Sequence, residues 1–304
     1  MKLPFSTTIL RIALLAIMGS AAIVTTSCKK DDPEVQDYSE RDQGLITDYL
    51  ASKNITTAQK QPSGLYFLPV VTNANAAQIT KGTTVSVLYT GRLLDAAGTV
   101  FDASSRHNNV PLTYVVGTPN IISGFDEGIA LMHIGDKAEL LIPSGLAYRN
   151  STAGGTIPAN SVLRFEVEVL NYAAIDDNLI TTYLASKNIT TAQKQASGLY
   201  FLPITTNPSA VRPTIGSTVS VQYTGRLLDA AGTVFDASSV APLTFTFGRG
   251  QLIRGFEEGI ALMHKGDRAE LLLPSALAYG PQGAGNSIAP NTVLRFEVEV
   301  VDIR

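Results

Sequence analysis

The residues of this 304-residue chain that could do chemistry form a short set. There is one cysteine, Cys28, and there are three histidines, His107, His133 and His264. One thiol cannot build an intrachain disulfide or a cysteine-held zinc or iron–sulfur site. Three scattered histidines argue against a metal centre. His133 and His264 each lie just before a Gly-Asp pair, between an expected helix and an expected strand, and read as solvent-facing turn residues. The segment GRGQLIRG at 248–255 is glycine-rich but lacks the Lys-Ser/Thr of a phosphate loop, so no nucleotide site is expected. What remains is aromatic and acidic. A Phe-Asp pair occurs twice, as Phe101-Asp102 and Phe235-Asp236, each among further tyrosines and phenylalanines. Taken alone, aromatics at strand spacing read as core and the two aspartates as turn caps. The other reading makes them the wall and the orienting group of a pocket.

The elements that must position these residues are written twice. Residues 45–73 and 179–207 match at 25 of 29 positions with an offset of 134. TGRLLDAAGTVFDASS at 90–105 recurs unchanged at 224–239, and VLRFEVEV at 162–169 recurs at 293–300. After Ser105 the offset falls to 131, because the first copy carries three extra residues around Arg106–Val110. A period this long means two tandem globular domains rather than a solenoid. The expected boundaries are a leader at 1–27, a polar tether at 28–44, a first domain at 45–172 and a second at 173–304. The junction is read as a short polar connection, NYAAIDDN at 171–178.

Within a copy, Leu45, Ile46, Tyr49 and Leu50 have helical spacing and predict a leading helix at about 44–54, repeated at about 178–188. Val85, Val87 and Tyr89 alternate with Thr84, Ser86 and Leu88 and predict a strand. Phe125, Ile129 and Met132 give one short helix with a single apolar stripe. Residues 138–142 and 163–170 predict strands, the last with Phe165, Val167 and Val169 inward and Arg164, Glu166 and Glu168 outward. The fold class is therefore α+β, an antiparallel sheet packed on a short helix.

Composition narrows the function classes. The net charge of −3 gives no basic field for nucleic acid. Apolar residues make up 45% of the chain and charged residues 16%, which excludes a disordered charged tail and supplies a sizeable core. At the N-terminus, Lys2 and Arg11 precede the apolar run IALLAIMGSAAIV at 12–24. That run is too short to span a bilayer, which needs about 20 residues, and it reads as a signal peptide. Cys28 follows directly, in a setting that resembles a lipobox with Thr25 where an aliphatic residue is usual. Acylation of Cys28 would tether the chain to a bilayer. The Lys29-Lys30-Asp31-Asp32 run resembles a surface-sorting signal of bacterial lipoproteins.

The run YTGRLLDAAGTVFDASS, then PLTFTFGRGQLIRGFEEGIALMHKGDRAELLLPSALAYG, then IAPNTVLRFEVEV resembles the FKBP-type peptidyl-prolyl cis-trans isomerases. The resemblance covers nearly all of residues 215–304 and, less closely, 80–170. It implies a twisted antiparallel sheet wrapped round one short helix in each of two tandem domains, with the leading helices outside that core. In the second domain it implies a site of Tyr223, Phe235, Asp236, Ile253, Phe256, Tyr279 and Phe296, with Phe245, Leu252 and Ile288 completing a substrate-binding wall. In the first domain the same positions are Tyr89, Phe101, Asp102, Ile122, Phe125, Tyr148 and Phe165, with Tyr114, Ile121 and Ile157. The sequence departs from the family at five residues. Phe125 and Phe256 stand where a floor tryptophan is usual, and Asn120 and Gln251 replace an acidic residue. Arg149 breaks the AYG pattern that Tyr279-Gly280 keeps, so an altered loop is expected in the first domain. The second domain is therefore the better candidate catalyst.

The resemblance also implies X–Pro isomerisation with no cofactor and no metal. The partners are proline-containing unfolded or extracytoplasmic polypeptides and, through Cys28, a membrane, with no nucleic acid. A monomer anchored at a bacterial outer membrane, facing the periplasm or the cell surface, is expected. The alternative is a non-catalytic peptide-binding chaperone or scaffold on the same anchor.

Overall fold

The computed structural model describes residues 37–304. The expected leader, Cys28 and most of the expected tether lie outside the described residues. The first copy runs α1 (Ser39–Ser52), β1 (Gln59–Lys60), β2 (Tyr66–Val71), β3 (Thr84–Leu93), β4 (Val100–Ala103), β5 (Leu112–Val115), α2 (Ser123–Ala130), β6 (Lys137–Ile142) and β7 (Leu163–Val169). The second repeats it: α3 (Tyr172–Ser186), β8 (Gln193–Lys194), β9 (Tyr200–Thr205), β10 (Thr218–Leu227), β11 (Val234–Ala237), β12 (Leu243–Thr246), α4 (Arg254–Ala261), β13 (Arg268–Leu273) and β14 (Leu294–Ile303). Each copy forms its own seven-stranded sheet, ordered β1-β2-β6-β7-β3-β4 and β8-β9-β13-β14-β10-β11, with β5 or β12 also paired to the long strand. All the pairings are antiparallel. The α+β tandem architecture is the one expected.

Strand alternation divides each core in two. On β6, Leu140 faces α2 with Phe125, Ile129, Phe165 and Val167, whereas Leu141 faces the other side. There it meets Tyr66, Leu68 and Val162 beneath Ile46 and Leu50 of α1. The second copy repeats this layer with Ile180 and Leu184 on Tyr200, Leu202, Leu272 and Val293. Each sheet is thus covered on both faces, and the leading helix roofs the face opposite the short one.

These helices start earlier than the sequence pattern predicts. Residues 39–44, expected as tether, are already helical, and so are 172–178, expected as a connection between the domains. The cause is visible in the buried stripe. It runs Asp42, Ile46, Leu50 in α1 and Asp176, Ile180, Leu184 in α3, so a carboxylate occupies the first inward position and hides the first turn from an apolar count. The Asn171 side chain accepts the Ala174 N–H at 3.2 Å and caps α3. Met132, expected within the short helix, lies just past its end but is fully buried.

Candidate functional site

The site is built where the long bent strand crosses the short helix. In the first domain β3 brings Tyr89, β4 brings Phe101 and Asp102, α2 brings Phe125 and β7 brings Phe165. Phe125 and Phe165 meet edge-on at 5.1 Å, and Phe101 meets Phe165 at 5.5 Å. In the second domain Phe256 and Phe296 lie 5.0 Å apart, and Phe235 and Phe296 5.6 Å. The floor phenylalanines are nearly inaccessible, while Tyr148 and Tyr279 stand at the rim, each 38% exposed. Edge-on packing of this kind fixes the rings and leaves an apolar surface facing the opening.

Glycine makes the crossing possible. A Cβ on Gly91 would sit 2.6 Å from the Phe101 ring and 2.9 Å from Phe165, and one on Gly225 would sit 2.6 Å from Phe235. Both glycines lie where the strand register shifts, at Gly91/Arg92 and Gly225/Arg226.

The polar groups are few and fixed. The Tyr89 hydroxyl donates to Asp102 Oδ2 at 2.6 Å, and the Tyr223 hydroxyl to Asp236 Oδ2 at 2.7 Å. Burial, then the hydrogen bond to aspartate, pushes the Tyr223 phenol up to about 12, and the same causes raise that of Tyr89. Burial would raise the Asp102 carboxyl, but hydrogen bonds from Tyr89, His107 and the Ala103 N–H outweigh it and hold it below its ordinary value. The Ile122 and Ile253 residues cap α2 and α4, and their N–H groups meet no acceptor among the described residues.

The first-domain residues enclose a cavity of about 180 Å³, lined by Tyr89, Phe101, Asp102, Leu112, Asn120, Ile121, Ile122, Phe125, Tyr148 and Phe165. Of the first-domain candidates, Tyr114 and Ile157 do not line it. Tyr114 packs behind Phe125 at 6.3 Å, and Ile157 is buried in the core. In the second domain Phe245 and Ile288 are likewise buried in the core, with Tyr223, Phe235, Leu252 and Ile253 packed against it. The candidates missed Leu112 and His107. Leu112 stands two residues before Tyr114 on β5, a spacing that places both on one face. His107 lies in the three-residue insertion, and its Nε2 is 2.9 Å from Asp102 Oδ1. The second copy has no counterpart to His107, so comparison of the copies offered no signal.

Two expectations change. Arg149 adopts φ 57°, the left-handed conformation that Gly280 adopts at φ 55°. Its carbonyl accepts the Asn160 N–H as that of Gly280 accepts the Asn291 N–H. The loop therefore keeps the same path at this residue, and the arginine carries a backbone strain of about 1–2 kcal/mol. His133 and His264 occupy turns, but half-buried rather than solvent-facing. Their N–H groups donate to Asp136 and Asp267 at 2.8 Å.

Comparison with known proteins agrees with this geometry. A family model described as FKBP-type peptidyl-prolyl cis-trans isomerase matches residues 75–170 and 209–301. The chain is 32% identical over 213 residues to peptidyl-prolyl cis-trans isomerase FKBP10 of Mus musculus, covering 70% of this chain and 33% of that protein. It is 44% identical over 108 residues to the probable FKBP-type isomerase FkpA of Neisseria meningitidis, covering 36% of this chain and 39% of that one. A solved peptidyl-prolyl cis-trans isomerase from Pseudomonas syringae aligns at 29% identity and a TM-score of 0.37, over 43% of this chain and 95% of its own. The chain spans about a third of the length of the FKBP10 relatives it matches.

Proposed function

Because the chain belongs to the FKBP-type peptidyl-prolyl cis-trans isomerase family, we propose that both of its pockets accelerate X–Pro isomerisation in polypeptides folding outside the cytoplasm. The observation that carries this reading is the convergence, twice over, of three phenylalanines on a Tyr–Asp hydrogen bond beside a backbone N–H with no acceptor among the described residues.

The barrier to be lowered is about 18–20 kcal/mol and comes from amide resonance. No bond breaks, so the work is differential binding of the twisted amide over either planar isomer. The proline ring packs on Phe125 or Phe256, with Phe101 and Phe165, or Phe235 and Phe296, as walls. This dry aromatic surface favours the less polar twisted C–N link. The N–H of Ile122 or Ile253 donates to one substrate carbonyl and the hydroxyl of Tyr148 or Tyr279 to another. Asp102 and Asp236, held by Tyr89 and Tyr223, orient the wall. Stabilising the twisted amide by about 4 kcal/mol gives roughly a thousandfold acceleration.

The signal-like leader and Cys28 support an acylated, exported protein that acts on extracytoplasmic clients at a bacterial outer membrane. A Cys28→Ser chain that still fractionates with membranes overturns the anchor. A second reading, peptide binding without turnover, is favoured by the smaller phenylalanine floor and by Asn120 and Gln251. Exchange NMR on an Ala-X-Pro-Phe-type peptide separates the two. Acceleration by the full chain that falls in a Phe101→Ala/Phe235→Ala pair supports the isomerase. Peptide binding with no acceleration supports the binding module.

A further inference from the structure

The leading helices lie outside the matched family segments, which begin at residues 75 and 209. Yet each holds, through one buried carboxylate, the turn that precedes the rim tyrosine. Asp42 is 1% exposed, and its Oδ2 accepts both the N–H of Ser144 at 2.8 Å and its hydroxyl at 2.6 Å. Asp176 is also 1% exposed and accepts the same two groups of Ser275, both at 2.7 Å. A buried carboxylate in an apolar layer is costly unless it is bound in this way. Both copies nevertheless keep it at the first inward position of the helix, where an apolar residue would extend the stripe.

The serines it holds are the first residues of the short turns Ser144–Leu146 and Ser275–Leu277, four positions before Tyr148 and Tyr279. The Ser144 carbonyl accepts the N–H groups of Ala147 and Arg149, which flank Tyr148. The same turns back the start of the short helix. A Cβ on Gly124 would strike Ile142 and Leu146, and one on Gly255 would strike Leu273 and Leu277. That helix start carries the capping Ile122 or Ile253. The far end of the pocket loop is gripped from the same helix. In the first copy the Arg41 guanidinium donates to the Asn160 carbonyl.

We propose that Asp42 and Asp176 are positioning residues of the two pockets. From the opposite side of the sheet, they set the turn that places the Tyr148 or Tyr279 hydroxyl and the N–H of Ile122 or Ile253 relative to each other. The leading helix is then a working part of each site. The kinetic consequence of this proposal rests on the isomerase reading, whereas its structural consequence stands apart from it.

The test uses the full chain in three double variants. Asp42→Ala/Asp176→Ala removes the grip. Asp42→Asn/Asp176→Asn keeps an acceptor for each serine. Ile46→Ala/Ile180→Ala weakens the same helices through packing alone. Hydrogen exchange is read on peptides spanning 144–149 and 275–280, and kcat and KM on an X–Pro peptide, well below the unfolding transition. The alanine pair is expected to speed exchange in both turns at least tenfold and to lower kcat/KM at least fivefold. The asparagine pair should stay within twofold of the natural chain in both readouts. The isoleucine pair should lower the melting temperature and leave both readouts unchanged. Unaltered turn exchange in the alanine pair overturns the proposal, and so does an isoleucine pair that reproduces the alanine effect. If the alanine pair does not fold, Ser144→Ala/Ser275→Ala, which removes only the hydroxyl bonds, must show the same exchange change in smaller measure. A natural chain without isomerase activity defeats the isomerase reading, and the exchange readout still decides the grip.

Discussion

One oxygen of Asp176 carries both hydrogen bonds from Ser275, while its other oxygen, Oδ1, is buried with no hydrogen-bond partner among the described residues. In the first copy the corresponding oxygen of Asp42 accepts the Arg41 guanidinium, and the residue before Asp176 is Ile175. Burial therefore raises the Asp176 carboxyl above its ordinary value despite the Ser275 bonds. A raised carboxyl pKa means that the folded chain holds the proton to higher pH than the unfolded one. Its contribution favours folding in acid and is lost as pH rises through the folded value. Asp176→Asn should thus melt above the natural chain near neutral pH, and the gap should close as the pH falls toward 4. Thermal unfolding followed at several pH values measures this.

The glycine at the strand crossing gives a second expectation. In Gly225→Ala the new methyl meets the Phe235 ring, so either the ring or the strand must move. A loss of about 1–3 kcal/mol in denaturant unfolding is expected, as for other overpacked sites. Isomerase activity should fall further than stability alone would cause, because Phe235 is a wall of the proposed second pocket.

His107 distinguishes the first pocket. Its ring bonds to Asp102 on the side away from Tyr89. Asp102 is held below its ordinary value, so its contribution to stability is present at neutral pH and lost as pH falls through the lowered folded value. In His107→Ala one of the bonds that lowers it disappears. A carboxyl-carbon NMR titration should then show Asp102 protonating at higher pH, and acid unfolding of the first domain should begin earlier.

Arg149 offers a test of tolerance. It shares the left-handed backbone of Gly280, so Arg149→Gly relieves strain while loosening the unfolded chain. The two effects nearly cancel, and denaturant unfolding should place the change within about 1 kcal/mol of zero. The turnover of the first pocket should persist, since the Asn160 hydrogen bond to this carbonyl involves only backbone.

The aromatic candidates were legible through the family resemblance, because they fall inside the motif runs that carry it, whereas strand spacing alone reads them as core. Tyr89 and Phe165 sit on alternating strands, Phe125 lies on the stripe of the short helix, and these three together with Phe101 and Asp102 reappear in the second copy. Their convergence on one cavity is a tertiary fact that strand spacing alone leaves open, and Tyr114 and Ile157 show the ambiguity, since both pack behind the wall. The leading helices were legible only from Leu45 and about Asn178 onward, because their first turns bury an aspartate whose partner is about a hundred residues away. No pattern within a window of the chain reveals such a bond. The backbone of Arg149 was misjudged for a related reason. Residue type sets the cost of a left-handed conformation, but the surrounding hydrogen bonds decide whether that cost is met.

The early start of α3 also bears on how the chain would meet proteases. Only Leu170 and Asn171 separate β7 from α3. The Leu170 N–H is bonded to the Ser86 carbonyl, and the Asn171 side chain is engaged as the cap of α3. A protease needs several residues of extended, accessible backbone, and this seam offers none. Digestion should spare it and fall first elsewhere, on exposed tips such as the insertion at Arg106–Val110. The duplication would then have been joined without leaving a cleavable hinge.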